Sequence, residues 1–259
     1  MGHIRLGRLP ATRPWKKVVA LLESGADVAP LADATARAAE NELRSARGDP
    51  ALAYTVWLLT QLPLAARSGR FVEDLRRLGF DAGAEQSVLS LVSGFSLAVD
   101  RNVAGRSNRT DFGDLARQAA VESLTKLVGN GTESLFGSSA EDLQRDLGRL
   151  ATKDRFAGLA REFFARLTQK TLEYYLSREL PNHVGPTRRF PSIEAQTIFQ
   201  ASLEKHCREA SEIVETFAGG WYSKSNFRKT LTPETVQDFT DYALTKMRDE
   251  LRIRRSTDG

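Results

Sequence analysis

FAGLAREFFARLTQKTLEYYLSREL, residues 156–180, sets Phe156, Leu159, Phe163, Leu167, Leu172 and Leu176 three to five positions apart. That spacing follows the 3.6-residue helical period rather than the strict alternation of a strand. Thr152 supplies an N-cap before the run, and Pro181 ends it, because proline lacks the N–H that the next turn would use. The spacing therefore predicts one long helix over 152–180, and the same pattern governs the sequence on both sides.

Toward the C-terminus, Ser192 opens a second long helix to about 218, and Thr232-Pro233-Glu234 opens a last one to about Arg252. Toward the N-terminus, Ser139 and Asp142 form a capping-box pattern for a helix ending near Leu150. Thr110-Asp111 caps a helix to about Val128, and Asp49-Pro50 launches ALAYTVWLLTQL. Trp15, Val18, Val19 and Leu22 give a first helix closed by Gly25, Pro30 a second running to about Arg47, and Arg70–Leu78 a short one closed by Gly79. Residues 84–99, containing SVLSLVSGFSLAV, fit a buried helix or a strand equally well by pattern, and the helical neighbours favour helix. The expected class is all-α, a multi-helix bundle-like globular protein with a short extended segment at Ile4–Leu9. GNGTESLFGSS (129–139) is the clearest break. It divides the chain into helical subdomains 1–128 and 139–259, with a boundary near 129–138, unless the whole is one domain.

Composition excludes several classes. With 259 residues, 41% hydrophobic and 27% charged, the chain is long and apolar enough for a substantial core. The longest apolar runs fall well short of the roughly 18 residues that span a bilayer. MGHIRLGRLPATRPW lacks the apolar region of a secretory signal, and Leu6 stands where a myristoylation motif wants Ser or Thr. A cytoplasmic protein with no membrane partner is expected. The abundance of Arg, Ala and Leu is that of a GC-rich bacterial genome. Its single cysteine, Cys207, excludes an internal disulfide or a multi-thiolate zinc site.

No catalytic motif stands up to its structural requirement. Gly94-Phe95-Ser96-Leu97-Ala98 approximates a nucleophile elbow, but that chemistry needs a strand-to-helix turn with Asp and His following. Ser123-Leu124-Thr125-Lys126 matches S-x-x-K without its companion motifs, and reads better as a solvent-facing helical turn. No G-x-x-x-x-G-K-[ST] phosphate loop is present. His3, His183 and His206 are scattered, and the Glu-x-x-His pairs of a di-iron bundle are missing. No catalytic, cofactor-binding or metal residue is assigned.

The charge distribution is more informative. The segments 1–22, 101–109, 185–191, 219–229 and 252–259 together carry +15 against a chain total of +4, which leaves −11 for the remainder. Connectors and ends are basic and the predicted helices acidic, a layout that suits phosphates or an acidic protein surface. Two connectors stand out. NHVGPTRRF (182–190) holds Arg188 and Arg189. GGWYSKSNFRK (219–229) follows two glycines with Trp221 and Tyr222, then Lys224, Arg228 and Lys229. Read as a turn, its glycines let Trp221 fold back into a helix junction and leave Tyr222, Lys224, Asn226 and Arg228 facing outward. Antiparallel helices would put the two connectors at opposite ends. The expected function is a non-enzymatic adaptor or accessory subunit binding a partner protein through helical faces and basic loops. Its candidate contacts are Arg188, Arg189, Trp221, Tyr222, Lys224, Arg228 and Lys229. The alternatives are a nucleic-acid-binding protein using Tyr222, Arg228 and Lys229, and, more remotely, an enzyme with an unfamiliar carboxylate or histidine site.

Overall fold

The computed structural model describes residues 9–40, 48–81, 87–104, 110–129 and 139–257. Among them the chain forms eleven α-helices: α1 (Arg13–Glu23), α2 (Val28–Ala38), α3 (Pro50–Ala66), α4 (Phe71–Arg77), α5 (Val88–Ala104), α6 (Asp111–Gly129), α7 (Ala140–Arg149), α8 (Lys153–Leu176), α9 (Ile193–Ala210), α10 (Glu212–Phe227) and α11 (Pro233–Thr257). A 3-10 turn spans Leu180–His183. No β-strand occurs among the described residues, only an isolated bridge between Val184 and Phe190. The fold is all-α, and the ambiguous segment is resolved as helix α5. The extended segment expected at Ile4–Leu9 and the 129–138 break fall almost wholly outside the described residues.

Local signals explain several boundaries, although Thr152 stands at the start of α8 without a side-chain cap bond. The Asp49 carboxylate accepts from the Ala51 and Leu52 amides at 2.8 and 2.9 Å, satisfying donors that the first turn of α3 leaves open. Ser139 and Asp142 form the reciprocal capping box of α7. Gly25 and Gly79 end α1 and α4 with φ of 71° and 84°.

The long helix α8 is the axis of the molecule. Phe156, Leu159, Phe163, Leu167, Leu172 and Leu176 are all buried, and α6, α9 and α10 pack along it. Helices from both sides of residues 130–138 share one hydrophobic core: α3 packs on α6, α7 and α11, and α2 packs on α9 and α11. Ion pairs tie the axis to its neighbours. Lys126 and Arg166 reach Glu162 at 2.9 and 2.8 Å, while Arg166 and Lys170 reach Glu122 at 3.0 and 2.7 Å. Burial disfavours the Glu162 carboxylate, but the Lys126 hydrogen bond and the charges of Arg166 and Lys126 outweigh it and lower its pKa.

The helix expected over 192–218 is two helices. Ser211 interrupts it, its hydroxyl donating to the Arg208 carbonyl at 2.6 Å, a local bond that competes with the helical ladder. The second piece, α10, continues nine residues beyond the expected end, to Phe227.

Candidate interaction site

GGWYSKSNFRK is therefore not a connector. It is the second half of α10 together with its cap. Gly219 has a steric reason to be there: a Cβ at this position would lie 2.5 Å from the Lys153 carbonyl oxygen. The glycine lets α10 press its backbone against the first turn of α8, a use of glycine that leaves the helix intact. Gly220 faces open space.

The neighbouring aromatics point inward. Trp221 is half-buried and stacks on Phe239 of α11, with ring centroids 4.0 Å apart and planes 15° apart, so it plugs a helix junction as expected. Tyr222 corrects the outward placement. It is fully buried, stacks on Phe156 at 3.8 Å and 6°, and its hydroxyl donates to the Thr60 carbonyl of α3 at 3.1 Å. Burial pushes its phenol pKa well up. The buried residues Val214, Ala218, Tyr222 and Ser225 recur at helical spacing. Tyr222 lies on that stripe because the helix runs through both glycines.

The aromatic of this stretch that faces outward is Phe227, 89% exposed at the last turn of α10. Five positions beyond Tyr222, it sits about 140° around the helix from that side chain. Lys224, Arg228 and Lys229 surround it in sequence, are all exposed, and form no ion pair with any described residue. The cap that holds them is well defined. The Lys229 amide donates to the Asn226 carbonyl at 3.1 Å and the Thr230 amide to the Ser225 carbonyl at 2.9 Å, the double bond pattern of a Schellman motif. Thr235 adds a hydroxyl bond of 2.6 Å to the Thr230 carbonyl. Lys229 occupies the left-handed position of this motif, with φ of 55°. Glycine is the usual occupant there, and a side chain at that φ costs about 1 kcal/mol or more. The hydrophobic contact that often accompanies the motif is absent, since its two positions are Ser225 and Thr230.

The second basic connector is used internally. The Arg189 guanidinium donates to the Leu21 and Leu22 carbonyls at 3.1 and 3.3 Å and also to the Ala26 carbonyl. It thus caps the C-terminal end of α1, where free carbonyls and the helix dipole favour a cation. It also sits 5.2 and 5.1 Å from the ring centres of Phe190 and Phe199. Burial lowers its pKa, and Asp27 opposes that shift. Arg188 is exposed and donates to the Asn182 carbonyl. The two connectors are not brought together. One follows the C-terminal end of α8 and the other projects past its N-terminal end, and 24 helical residues separate those ends by roughly 35 Å. The C-terminal Arg254 is engaged by Glu209, Glu212 and Glu250.

The motifs weighed for chemistry take structural places. Ser96 lies inside α5 with its hydroxyl bonded to the Val92 carbonyl at 3.1 Å, so the turn of a nucleophile elbow is not formed. Ser123 is fully buried and bonds the Ala119 carbonyl at 2.7 Å, which corrects its solvent-facing assignment. His183, His206 and Cys207 are buried, and burial raises the Cys207 pKa far above the reactive range. No group of three or more His, Cys, Asp or Glu side chains among the described residues is placed to hold a metal ion. A narrow apolar cavity of about 60 Å³ lies between α2, α6, α8 and α11, far smaller than sites that take metabolites. Among the described residues no helix is long and apolar enough to cross a membrane. No family model matches the chain, and no match was found among curated proteins or solved structures.

Proposed function

We propose that this chain is a non-enzymatic adaptor that binds an acidic partner protein through the tip joining α10 to α11. The observation that carries this reading is Phe227, 89% exposed on a hydrogen-bonded cap and flanked by three cations that form no ion pair among the described residues. An exposed aromatic next to an arginine matches residue types enriched at protein interfaces, and the two lysines suit the polar rim of one. The cap fixes the backbone before binding, which reduces the entropy lost on association. Lys229 at a position where glycine is cheaper supports the same reading, since local strain tends to collect at functional sites.

The same chemistry can stack nucleic-acid bases and contact phosphates. The charge layout favours a protein. Outside the basic segments the chain carries −11, which repels a long polyanion more than a compact acidic patch. Affinity enrichment with the parent chain and with the Lys224→Ala, Arg228→Ala, Lys229→Ala triple variant as baits, read by quantitative mass spectrometry, tests the proposal. The expected result is a small set of proteins retained by the parent and lost from an equally stable variant. Tight binding of a single-stranded oligonucleotide at physiological salt, weakening steeply as salt rises and lost in the variant, would overturn it in favour of nucleic acid.

A further inference from the structure

Pro233, four residues after Lys229, lines an open groove of 260 Å³ together with Pro50, Ala53, Tyr54 and Trp57 of α3 and Asn102 of α5. Tyr54 and Trp57 are half-buried, with rings 5.5 Å apart and 22° from parallel. The Tyr54 hydroxyl donates to the Leu78 carbonyl at 3.0 Å, which fixes the ring that walls the groove. The lining is apolar and aromatic, with the Asn102 amide as its polar group. Small-molecule sites usually enclose about 300–1,000 Å³. This groove falls below that range and is open, which suits a protein side chain better than a whole metabolite.

Its position relative to the tip is constrained by the chain. Four residues extend at most about 14 Å, so Pro233 lies within that distance of Lys229. An extended segment of four or five residues reaches from the tip cations to the groove at about 3.3 Å per residue. Along the chain from Lys224 to Glu234 the charge is net positive. Against Lys224, Arg228 and Lys229 stands one acid, Glu234, whose carboxylate is bonded to Thr232 at the start of α11.

We infer that this groove receives a bulky apolar side chain from an extended acidic segment of the partner, while carboxylates of the same segment meet Lys224, Arg228 and Lys229. The inference rests on the reading of the tip as a docking site for an acidic protein, and adds the anchor that selects among acidic segments. Charge complementarity alone gives on-rate and little discrimination, whereas a desolvated apolar anchor dominates affinity.

A displayed library of random short peptides, selected on the purified chain, tests both layers separately. The expected enriched peptides combine acidic residues with one Leu, Ile, Met, Phe or Trp a few positions away. Their affinity should fall about tenfold or more when that apolar residue becomes Ala, a loss typical of an interface anchor. Ala53→Glu, which places a carboxylate in the groove from a half-buried helical position, should weaken binding similarly. Trp57→Ala should do the same, with its unfolding curve checked in parallel. Enriched peptides that are acidic but carry no apolar anchor, and that ignore Ala53→Glu and Trp57→Ala while responding to the tip triple variant, would overturn the groove and leave the tip standing. Peptides insensitive to the tip triple variant, or no enrichment at all, would overturn the tip reading and the groove with it.

Discussion

The loop at 182–190 and the tip at 224–229 look alike in sequence and do opposite things. Both are short, basic and placed at one end of α8. In the loop, the fold supplies acceptors: Arg189 turns inward to three carbonyls at the end of α1 and lies against two phenylalanine rings. At the tip, Lys224, Arg228 and Lys229 meet no acidic group among the described residues, and an aromatic stands exposed between them. A basic connector marks an interaction surface only when the fold leaves its charges unanswered.

Replacement of Arg189 should have the largest effect on stability. Arg189→Ala leaves three carbonyls short of a charged donor and is expected to destabilise the fold by about 2–3 kcal/mol, read by chemical denaturation. A change below half a kilocalorie would erase the distinction between loop and tip. Lys229→Gly should act in the opposite direction, stabilising by about 1 kcal/mol because it relieves the left-handed conformation. The same variant should weaken partner binding through the lost charge. The triple change of Lys224, Arg228 and Lys229 to Ala should shift stability by no more than about 0.5 kcal/mol per site, as surface substitutions do.

The paired cations of α6 and α8 lie between these extremes, and carboxylates of α8 give a finer test. Glu162 has a pKa held below the ordinary 4.5 by Lys126 and Arg166, so its contribution to stability is present above that value and is lost as pH falls through the lowered one. Glu173 has the opposite sign. Burial raises its pKa, partly offset by Gln169 and Lys170, so ionisation at neutral pH works against the fold. Glu162→Gln should lower the unfolding temperature at neutral pH, with the difference from the parent shrinking in acid. Glu173→Gln should raise it slightly or leave it unchanged. Equal and same-signed effects would contradict this ordering of paired and buried charge.

Much of the architecture was legible because it is carried by periodicity and capping. The α8 stripe from Phe156 to Leu176, the Asp49-Pro50 start and the Ser139–Asp142 box each state a local rule that the tertiary structure keeps. The site was less legible, for one physical reason. Gly219-Gly220 reads as a turn when glycine is taken only as a breaker, and that reading turns Tyr222 outward. The approach of the Lys153 carbonyl, which makes Gly219 necessary, comes from 66 residues away in sequence and leaves no local trace. Once α10 is known to run through the glycines, the 214, 218, 222, 225 stripe places Phe227 on the opposite face by arithmetic. Arg189 was illegible for a related reason, since its acceptors lie at the end of α1 and in the turn that follows it.

The central claim is that position 227 touches another protein while the fold behind it stays closed. A photo-crosslinking amino acid in place of Phe227, in cells that normally make this chain, tests it most directly. The expected result is a discrete protein adduct at 227 that disappears in the Lys224, Arg228, Lys229 triple variant, with none from the same group at exposed Ile198 on α9. No adduct at 227, an adduct to nucleic acid, or equal labelling from both positions would contradict it.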